Sequence, residues 1–233
     1  MFDFINKAEL FDWWDKGYAN KTEWHLKSIQ DAWAFSRLRG SKGLRICEVG
    51  GGTPRVLPKL ATNNECWNVD KLEGVGNGPT ELTEIDGIKF IDTYLGDFDE
   101  RLPSDYFDVV FSLSVIEHVD DDQLDDCFRD MTRILKPGGS LLHAIDLYVP
   151  QRPTTIQRVD RYRHIAETCG APLQWLKEPM MPDKISFRTT YATNSDQQLA
   201  NWNRNGPALR KRRATTQNCS IKAVWIKPER TPT

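Results

Sequence analysis

The chain has 233 residues, 39% of them hydrophobic and 27% charged, which is the make-up of one soluble globular domain with a full core. Its net charge of −2 gives no global electrostatic drive toward nucleic acid or an anionic membrane. No apolar run approaches the length of a membrane-spanning helix, and the Met1-Phe2-Asp3-Phe4-Ile5-Asn6 start lacks the basic-then-apolar layout of a signal peptide. The cysteines at 47, 66, 127, 169 and 219 are scattered and form no C-x-x-C pair. Reduced thiols in a cytoplasmic protein are expected, and a metal site is not.

Residues 1–43 read as a helical, aromatic-rich segment containing Phe11, Trp13, Trp14, Trp24, Trp33 and Phe35. A helix is expected over Thr22 to Leu38, with Thr22 as N-cap and Leu26, Ile29, Trp33 and Phe35 on one stripe. Such a segment packs on a sheet edge or covers a cleft, with neither role preferred, and the two can coexist. Gly40-Ser41-Lys42-Gly43 then makes a hinge.

Residues 44–55 read as a short buried strand, a glycine turn and the start of a helix through Val56, Leu57 and Leu60. Gly50, Gly51 and Gly52 permit backbone angles and close approaches that a Cβ forbids, and Pro54 suits a first helical turn. A strand–turn–helix unit puts unpaired N–H groups at the mouth of a cleft, which suits a nucleotide. Arg55 stands where a dinucleotide fingerprint wants its last glycine, and no P-loop Gly-Lys-Ser/Thr is present. Glu48, two residues before the first glycine, is the distinguishing feature. Alone, this stretch reads more readily as a tight turn without a ligand.

Cys66 to Asp70 is a second short strand ending in an acid, about 20 residues after the glycines, the separation at which a carboxylate reaches ribose hydroxyls. A strand-end Asp capping a turn is the bland alternative. Residues 71–87 are a Gly-, Pro- and Glu-rich loop, followed by a candidate strand at Ile88 to Asp92 and a Gly96-Asp97 turn. Phe107 to Ser114 is a strong buried strand, continued by Val115-Ile116-Glu117-His118-Val119. Asp120, Asp121 and Asp122 are expected to open and cap the next helix, not to bind metal. That helix carries Leu124, Phe128, Met131, Ile134 and Leu135 at helical spacing. Leu135-Lys136-Pro137-Gly138-Gly139 should end it and lead into a strand at Ser140 to Leu147. Alternating strands and helices predict a mostly parallel, doubly wound α/β sheet.

Beyond residue 147, Tyr148 to Thr155 reads as an active-site loop, Ile156 to Cys169 as an Arg-rich helix, and Ile185 to Tyr191 and Cys219 to Ile226 as strands. A helix with Trp202 is expected over Ser195 to Ala208. Arg204, Arg210, Lys211, Arg212 and Arg213 form a basic cluster, read as solvated surface or as a dock for an anionic acceptor such as a phosphorylated or nucleotide-linked sugar. The last residues, Pro228 to Thr233, are expected to fray.

Glu48-x-Gly50-x-Gly52, Gly96-Asp97-Phe98, Phe107-Asp108-x-Val110 with Ser114-x-x-Glu117-His118-Val119, and Leu135-Lys136-Pro137-Gly138-Gly139 occur in order over residues 44–147. This set resembles the class I S-adenosylmethionine-dependent methyltransferases of the small-molecule type, with Pro54 in place of the family's third glycine. The resemblance implies one domain over 1–233, comprising an N-terminal helical segment (1–43), a cofactor half (44–147) and a substrate-side half (148–233). It implies a Rossmann-like, seven-stranded, mostly parallel sheet with an antiparallel terminal strand and N-terminal helices. S-adenosylmethionine, leaving as S-adenosylhomocysteine, would contact Glu48, Gly50, Gly51, Gly52, Thr53, Asp70, Lys71, Gly96, Asp97, Phe98, Ser112, Leu113 and Ser114. Glu48 would engage its amino-acid end. Asp97 would take the adenine amino group, and Phe98 would pack the ring.

If the acceptor is a hydroxyl, a base helps remove its proton. His118 is the first candidate, followed by Asp146 and His143. Strand alternation turns His143 and Asp146 opposite ways, and a packed role suits His143 better. The expected acceptor is a small molecule, a hydroxyl of a glycan or related metabolite. No nucleic-acid partner is expected. A nicotinamide oxidoreductase and a non-catalytic scaffold on the same fold are the alternatives. Arg55 and the Ser-x-x-Glu-His-Val and Lys-Pro-Gly-Gly phrases disfavour the first. Glu48, Asp70 and Asp97 argue against the second.

Overall fold

The computed structural model describes residues 2–20, 26–74, 78–149, 157, 159–164, 171–172 and 217–229. Thr22, the helix over 195–208 with Trp202, the strand over 185–191 and the basic cluster at 204–213 lie outside them.

The chain opens with a strand, β1 (Phe2–Phe4), where a wholly helical segment was expected. Phe2 and Phe4 alternate inward with Asp3 between them, a two-residue period that suits a sheet edge and not a helix. Helix α1 (Lys7–Asp15) follows. Its Asn6 side chain accepts from Glu9 N and the Glu9 carboxylate accepts from Asn6 N, each at 3.0 Å, which closes a capping box. Helix α2 (Leu26–Leu38) buries Leu26, Ile29, Gln30, Trp33 and Leu38.

Strands β2 (Arg45–Val49), β3 (Glu65–Val69), β4 (Ile88–Ile91) and β5 (Phe107–Leu113) come next. Helix α3 (Leu124–Ile134), β6 (Leu135–Val149), the two-residue β7 (Ala171–Pro172) and β8 (Gln217–Ile226) complete the described elements. The sheet order is β1-β8-β6-β5-β2-β3-β4, with β7 also on β8. Strands β2 to β6 pair in parallel, and β8 runs antiparallel to β6 and β1. Both faces are covered. Phe107, Val110, Phe128, Met131 and Trp225 pack on the α3 side. Ile29, Trp33, Ile46, Val109 and Phe111 pack on the α1–α2 side. The Rossmann-like, doubly wound arrangement is therefore present. Among the described residues no helix is long and apolar enough to cross a membrane.

Three local expectations need correction. After the glycine turn there is only a 3-10 turn, Leu57–Lys59, instead of an α-helix. In a helix begun at Pro54, residue 58 would donate to the Pro54 carbonyl. It is Pro58, with no N–H and a ring that clashes there. The acids at 120–122 form a turn before α3, whose N-cap position is Gln123 with no side-chain cap bond. The Lys136-Pro137-Gly138-Gly139 phrase lies inside β6. The pairing of Phe107 with Leu135 and of Val109 with Ser140 makes it an irregularity against β5. Gly138 sits at φ 75°, and a Cβ on Gly139 would lie 2.8 Å from the Lys136 carbonyl oxygen. Lys227 Nζ donates to the carbonyls of Thr132 (2.8 Å) and Leu135 (2.7 Å), satisfying the C-terminal end of α3.

Lys222 on β8 is almost wholly buried, with Glu9 of α1 as its ion-pair partner. Removing one member of such a pair strands a charge. Glu9→Ala is expected to cost on the order of 3 kcal/mol, the low end for a buried pair because Glu9 is partly in solvent. Adding Lys222→Met should recover much of that loss in urea titrations. A double variant no more stable than Glu9→Ala would show that packing, not charge, holds α1 to the sheet.

Candidate active site

Leaving β2, the chain crosses to β3 and β4 on one side and to β5 and β6 on the other. The crevice at the carboxyl ends of β2 and β5 is therefore the switch point of the sheet, where open α/β sheets bind ligands. Three backbone bonds extend the pairing at this edge: Gly50 N to Val69 O (2.7 Å), Asp70 N to Ile91 O (3.2 Å) and Ser114 N to Ala144 O (2.9 Å).

The glycine turn is tightly enclosed. Gly50 and Gly52 take φ of 66° and 51°, which favours glycine. A Cβ on Gly50 would lie 2.5 Å from Val115 Cγ2, and one on Gly51 would lie 2.4 Å from Asn68 Oδ1. Gly52 N donates to Asp70 Oδ2 (2.8 Å), Leu72 N to Asp70 Oδ1 (2.7 Å), and Asn68 Nδ2 to Gly52 O (2.9 Å). Thus Asp70 and Asn68 on β3 hold the turn made by β2. Thr53 beside it is exposed.

Glu48 lies beneath Gly51 and is buried, and its carboxylate accepts from Leu57 N. Burial pushes it up to about 8, against the pull of Arg55. Glu48 Oε2 and Asn68 Oδ1 are both buried and meet no donor among the described residues. Arg55, in turn, donates to Asp31 of α2 through Nε (2.6 Å) and Nη2 (2.9 Å), tying the turn to that helix.

Beyond β4, Tyr94 and Phe98 are 42% and 43% exposed, and Asp97, between them in sequence, is exposed too. Tyr94 Oη donates to Glu73 (3.0 Å). Burial, Glu73, and the charges of Asp70 and Asp97 all raise the Tyr94 phenol, so these acids share one rim. The Gly96 and Phe98 amides both donate to Asp130 of α3. Lys71 pairs with Asp92 at 3.3 Å on the surface.

On the β5–β6 side, Ser114 sits at φ 56°, and its hydroxyl lies 2.6 Å from Gln30 Oε1 and 3.1 Å from Asp146 Oδ1. Gln30 Nε2 donates to Asp146 Oδ1 (2.6 Å) and Ser220 Oγ (2.9 Å). Burial raises the Asp146 carboxyl, opposed by the Gln30 and Ser114 hydrogen bonds and by the charges of Lys27 and His118. Glu117, in the 3-10 turn Ile116–His118, has both carboxylate oxygens out of solvent. Burial, then the Asp146 charge, holds it well above the usual carboxylate range. His118 is exposed beside this pair.

His143 lies elsewhere. Alternation along β6 puts it on the α3 face, fully buried between Phe128 and Trp225, with Nδ1 2.6 Å from the buried Ser112 hydroxyl. Burial drives its imidazole down to about 3, so it is neutral. The structure thus gathers Ser114, His118 and Asp146, and it separates Ser112 and His143 from them. Leu113 is buried at the strand end.

Sequence reasoning passed over Gln30, Asn68, Glu117 and Asp130. Gln30 had a signal, being a polar side chain on the apolar stripe of α2. Glu117 stood in the quoted motif beside His118. Asn68 and Asp130 act on partners 16 and 32–34 residues away, and nothing local marks them.

Residues 47–143 match the methyltransferase domain family. Over 127 residues the chain is 34% identical to the ubiquinone/menaquinone biosynthesis C-methyltransferase UbiE of Bordetella parapertussis and of Bordetella bronchiseptica, covering 50% of this chain and 46% of each relative. The chain therefore spans about half the length of the curated relatives it matches. Among solved structures it resembles the YcgJ protein of Bacillus subtilis (TM-score 0.57, 15% identity, 87% of this chain and 99% of that one). It also resembles phosphoethanolamine N-methyltransferase 2 of Haemonchus contortus, solved with S-adenosyl-L-methionine (TM-score 0.56, 15% identity, 86% and 53%). The [4+2]-cyclase SpnF shares the fold as well (TM-score 0.55, 16% identity, 88% and 81%). At these identities the structural likeness concerns the fold alone. Residues 47–143 thus match a methyltransferase domain family, and they lie on the Rossmann-like sheet whose carboxyl-edge crevice carries the glycine turn.

Proposed function

We propose that this chain binds S-adenosylmethionine across the β2–β5 switch point and transfers its methyl group to a small-molecule acceptor. The observation that carries this reading is the pair of donorless buried acceptors, Glu48 Oε2 and Asn68 Oδ1, beneath a glycine turn held by Asp70. An ammonium group supplies the donors and the positive charge that a buried carboxylate needs. Asp70 keeps lone pairs for a ribose diol, and the exposed rings of Tyr94 and Phe98 offer a surface to a purine.

When bound, the cofactor supplies an already activated electrophilic methyl on a sulfonium centre. The protein then needs to orient the acceptor, exclude water and receive a proton. Asp146 is placed to receive it, with Gln30 and Ser114 fixing its orientation. His118, exposed beside it, carries the proton onward to solvent. This suits an acceptor that gives up a proton, and we read it as a hydroxyl of a glycan or related metabolite. A second reading, methylation at carbon, is favoured by the likeness to C-methyltransferases over 127 residues, and it makes the same demand for a base. The cytoplasmic setting expected from the sequence is kept as part of this proposal.

Calorimetric titration with S-adenosylmethionine, S-adenosylhomocysteine and NAD tests the reading directly. Binding of the two sulfur ligands without NAD is expected. Binding of NAD alone would replace this reading with the oxidoreductase one, and binding of none would favour a scaffold. Asp70→Ala should weaken S-adenosylmethionine at least about tenfold, or about 1.4 kcal/mol.

Asp146→Asn should slow turnover about 10²- to 10⁴-fold, with cofactor affinity held within about threefold. Normal turnover in that variant would remove Asp146 as the proton acceptor.

Glu48 also sets a pH dependence. The fold keeps its proton up to about pH 8, whereas the unfolded chain releases it near 4.5. This contribution to stability is therefore full below about pH 4.5 and is lost as pH rises through about 8. Urea titrations of the ligand-free protein at pH 5 and pH 8 should show a smaller drop for Glu48→Gln than for the parent chain. Equal drops would mean that Glu48 is ionised throughout this range.

A further inference from the structure

Asp130 of α3 is fully buried and makes four charge-assisted contacts. Its Oδ2 accepts from Gly96 N (2.8 Å) and Phe98 N (3.0 Å). Its Oδ1 accepts from Arg133 Nε (2.8 Å) and Nη2 (2.7 Å). Arg133 continues to the carbonyls of Leu102 (2.7 Å) and Asp99 (3.2 Å), so one buried ion pair pins the whole 96–102 segment to α3. The segment lies close on the helix, since a Cβ on Gly96 would come 3.2 Å from Cys127 N.

The consequence falls on Phe98. Its φ is 54°, a region that bulky side chains rarely adopt. An apolar residue held in a strained backbone and left 43% exposed gains less from packing than a core phenylalanine does. Strain of this kind persists where the surroundings over-determine it, and it concentrates at ligand clamps. The two amide bonds to Asp130 are that over-determination. Asp97, next to Phe98 in sequence, and Tyr94, four residues before it, are exposed as well. An exposed aromatic ring and an acceptor carboxylate on one turn match a planar heterocycle bearing an exocyclic amine.

We infer that Asp130 is a positioning residue, holding the Gly96 and Phe98 amides so that the Phe98 ring meets the purine of an adenosine-bearing ligand. This rests on the cofactor reading above. Asp130 touches no ligand itself and acts through Phe98.

The test is a double-mutant cycle on the full chain, titrated with S-adenosylhomocysteine and 5′-methylthioadenosine. Asp130→Asn should weaken both ligands about tenfold. In a Phe98→Ala background the same change should weaken them less than about twofold further, because the ring it positions is gone. A merely structural role predicts the same loss in both backgrounds, and that result overturns the inference, as does undiminished binding by Asp130→Asn. Phe98→Ala alters an exposed side chain and gives a second handle, since normal binding by that single variant also overturns it. A parent chain that binds neither ligand would instead overturn the cofactor reading.

Discussion

A carboxyl group buried near the end of a central strand must find hydrogen-bond donors, and Gln30 supplies them to Asp146. Much of the β5–β6 side of the cleft follows from that contact. Gln30 bonds at once to β6 through Asp146, to β8 through Ser220 and to the end of β5 through Ser114. One amide on α2 thereby fixes where the N-terminal helices sit over the carboxyl edge of the sheet. The Arg55–Asp31 pair repeats the constraint from the glycine turn. The N-terminal segment is thus a wall of the cleft as much as a cover for the sheet.

The cleft holds three buried acids, and the cations near them, Arg55, Lys27 and His118, oppose their shifts only in part. Glu48, Glu117 and Asp146 are all raised above ordinary carboxylates, each mainly because burial penalises the charged form. A ligand carrying positive charge relieves that penalty, and a neutral or anionic one does not. The burial of these acids therefore favours a positively charged ligand over a neutral or anionic one. His143 shows the converse. Buried among aromatic rings with its partner Ser112, it is neutral and serves packing.

The fold also shows how much a covering element can change while the sheet persists. The β2–β3 connection holds only a 3-10 turn, because Pro58 breaks the helix that would begin at Pro54. The glycine turn does not need that helix. Its geometry is held by Asp70 and Asn68 across the strand pair and by Arg55 toward α2.

The strands, their parallel order and the glycine turn were legible in the sequence because their signals are local. Ile46 to Val49, Cys66 to Val69 and Val109 to Leu113 are continuous buried runs, and the glycines at 50–52 mark a tight turn after the first of them. Glu48, Asp70 and Asp146 were legible as strand-end acids. The opposite facing of His143 and Asp146 followed from alternation along one strand. Long-range pairing decided the rest. The Phe2–Phe4 strand exists because β8 offers it an edge. Gln30 matters because Asp146 lies 116 residues away in sequence and 2.6 Å away in space. Asp130 holds Phe98 only because α3 packs beneath that turn. Local periodicity records which face of an element is buried. It carries no record of which buried polar group will meet which, since that depends on how the elements dock.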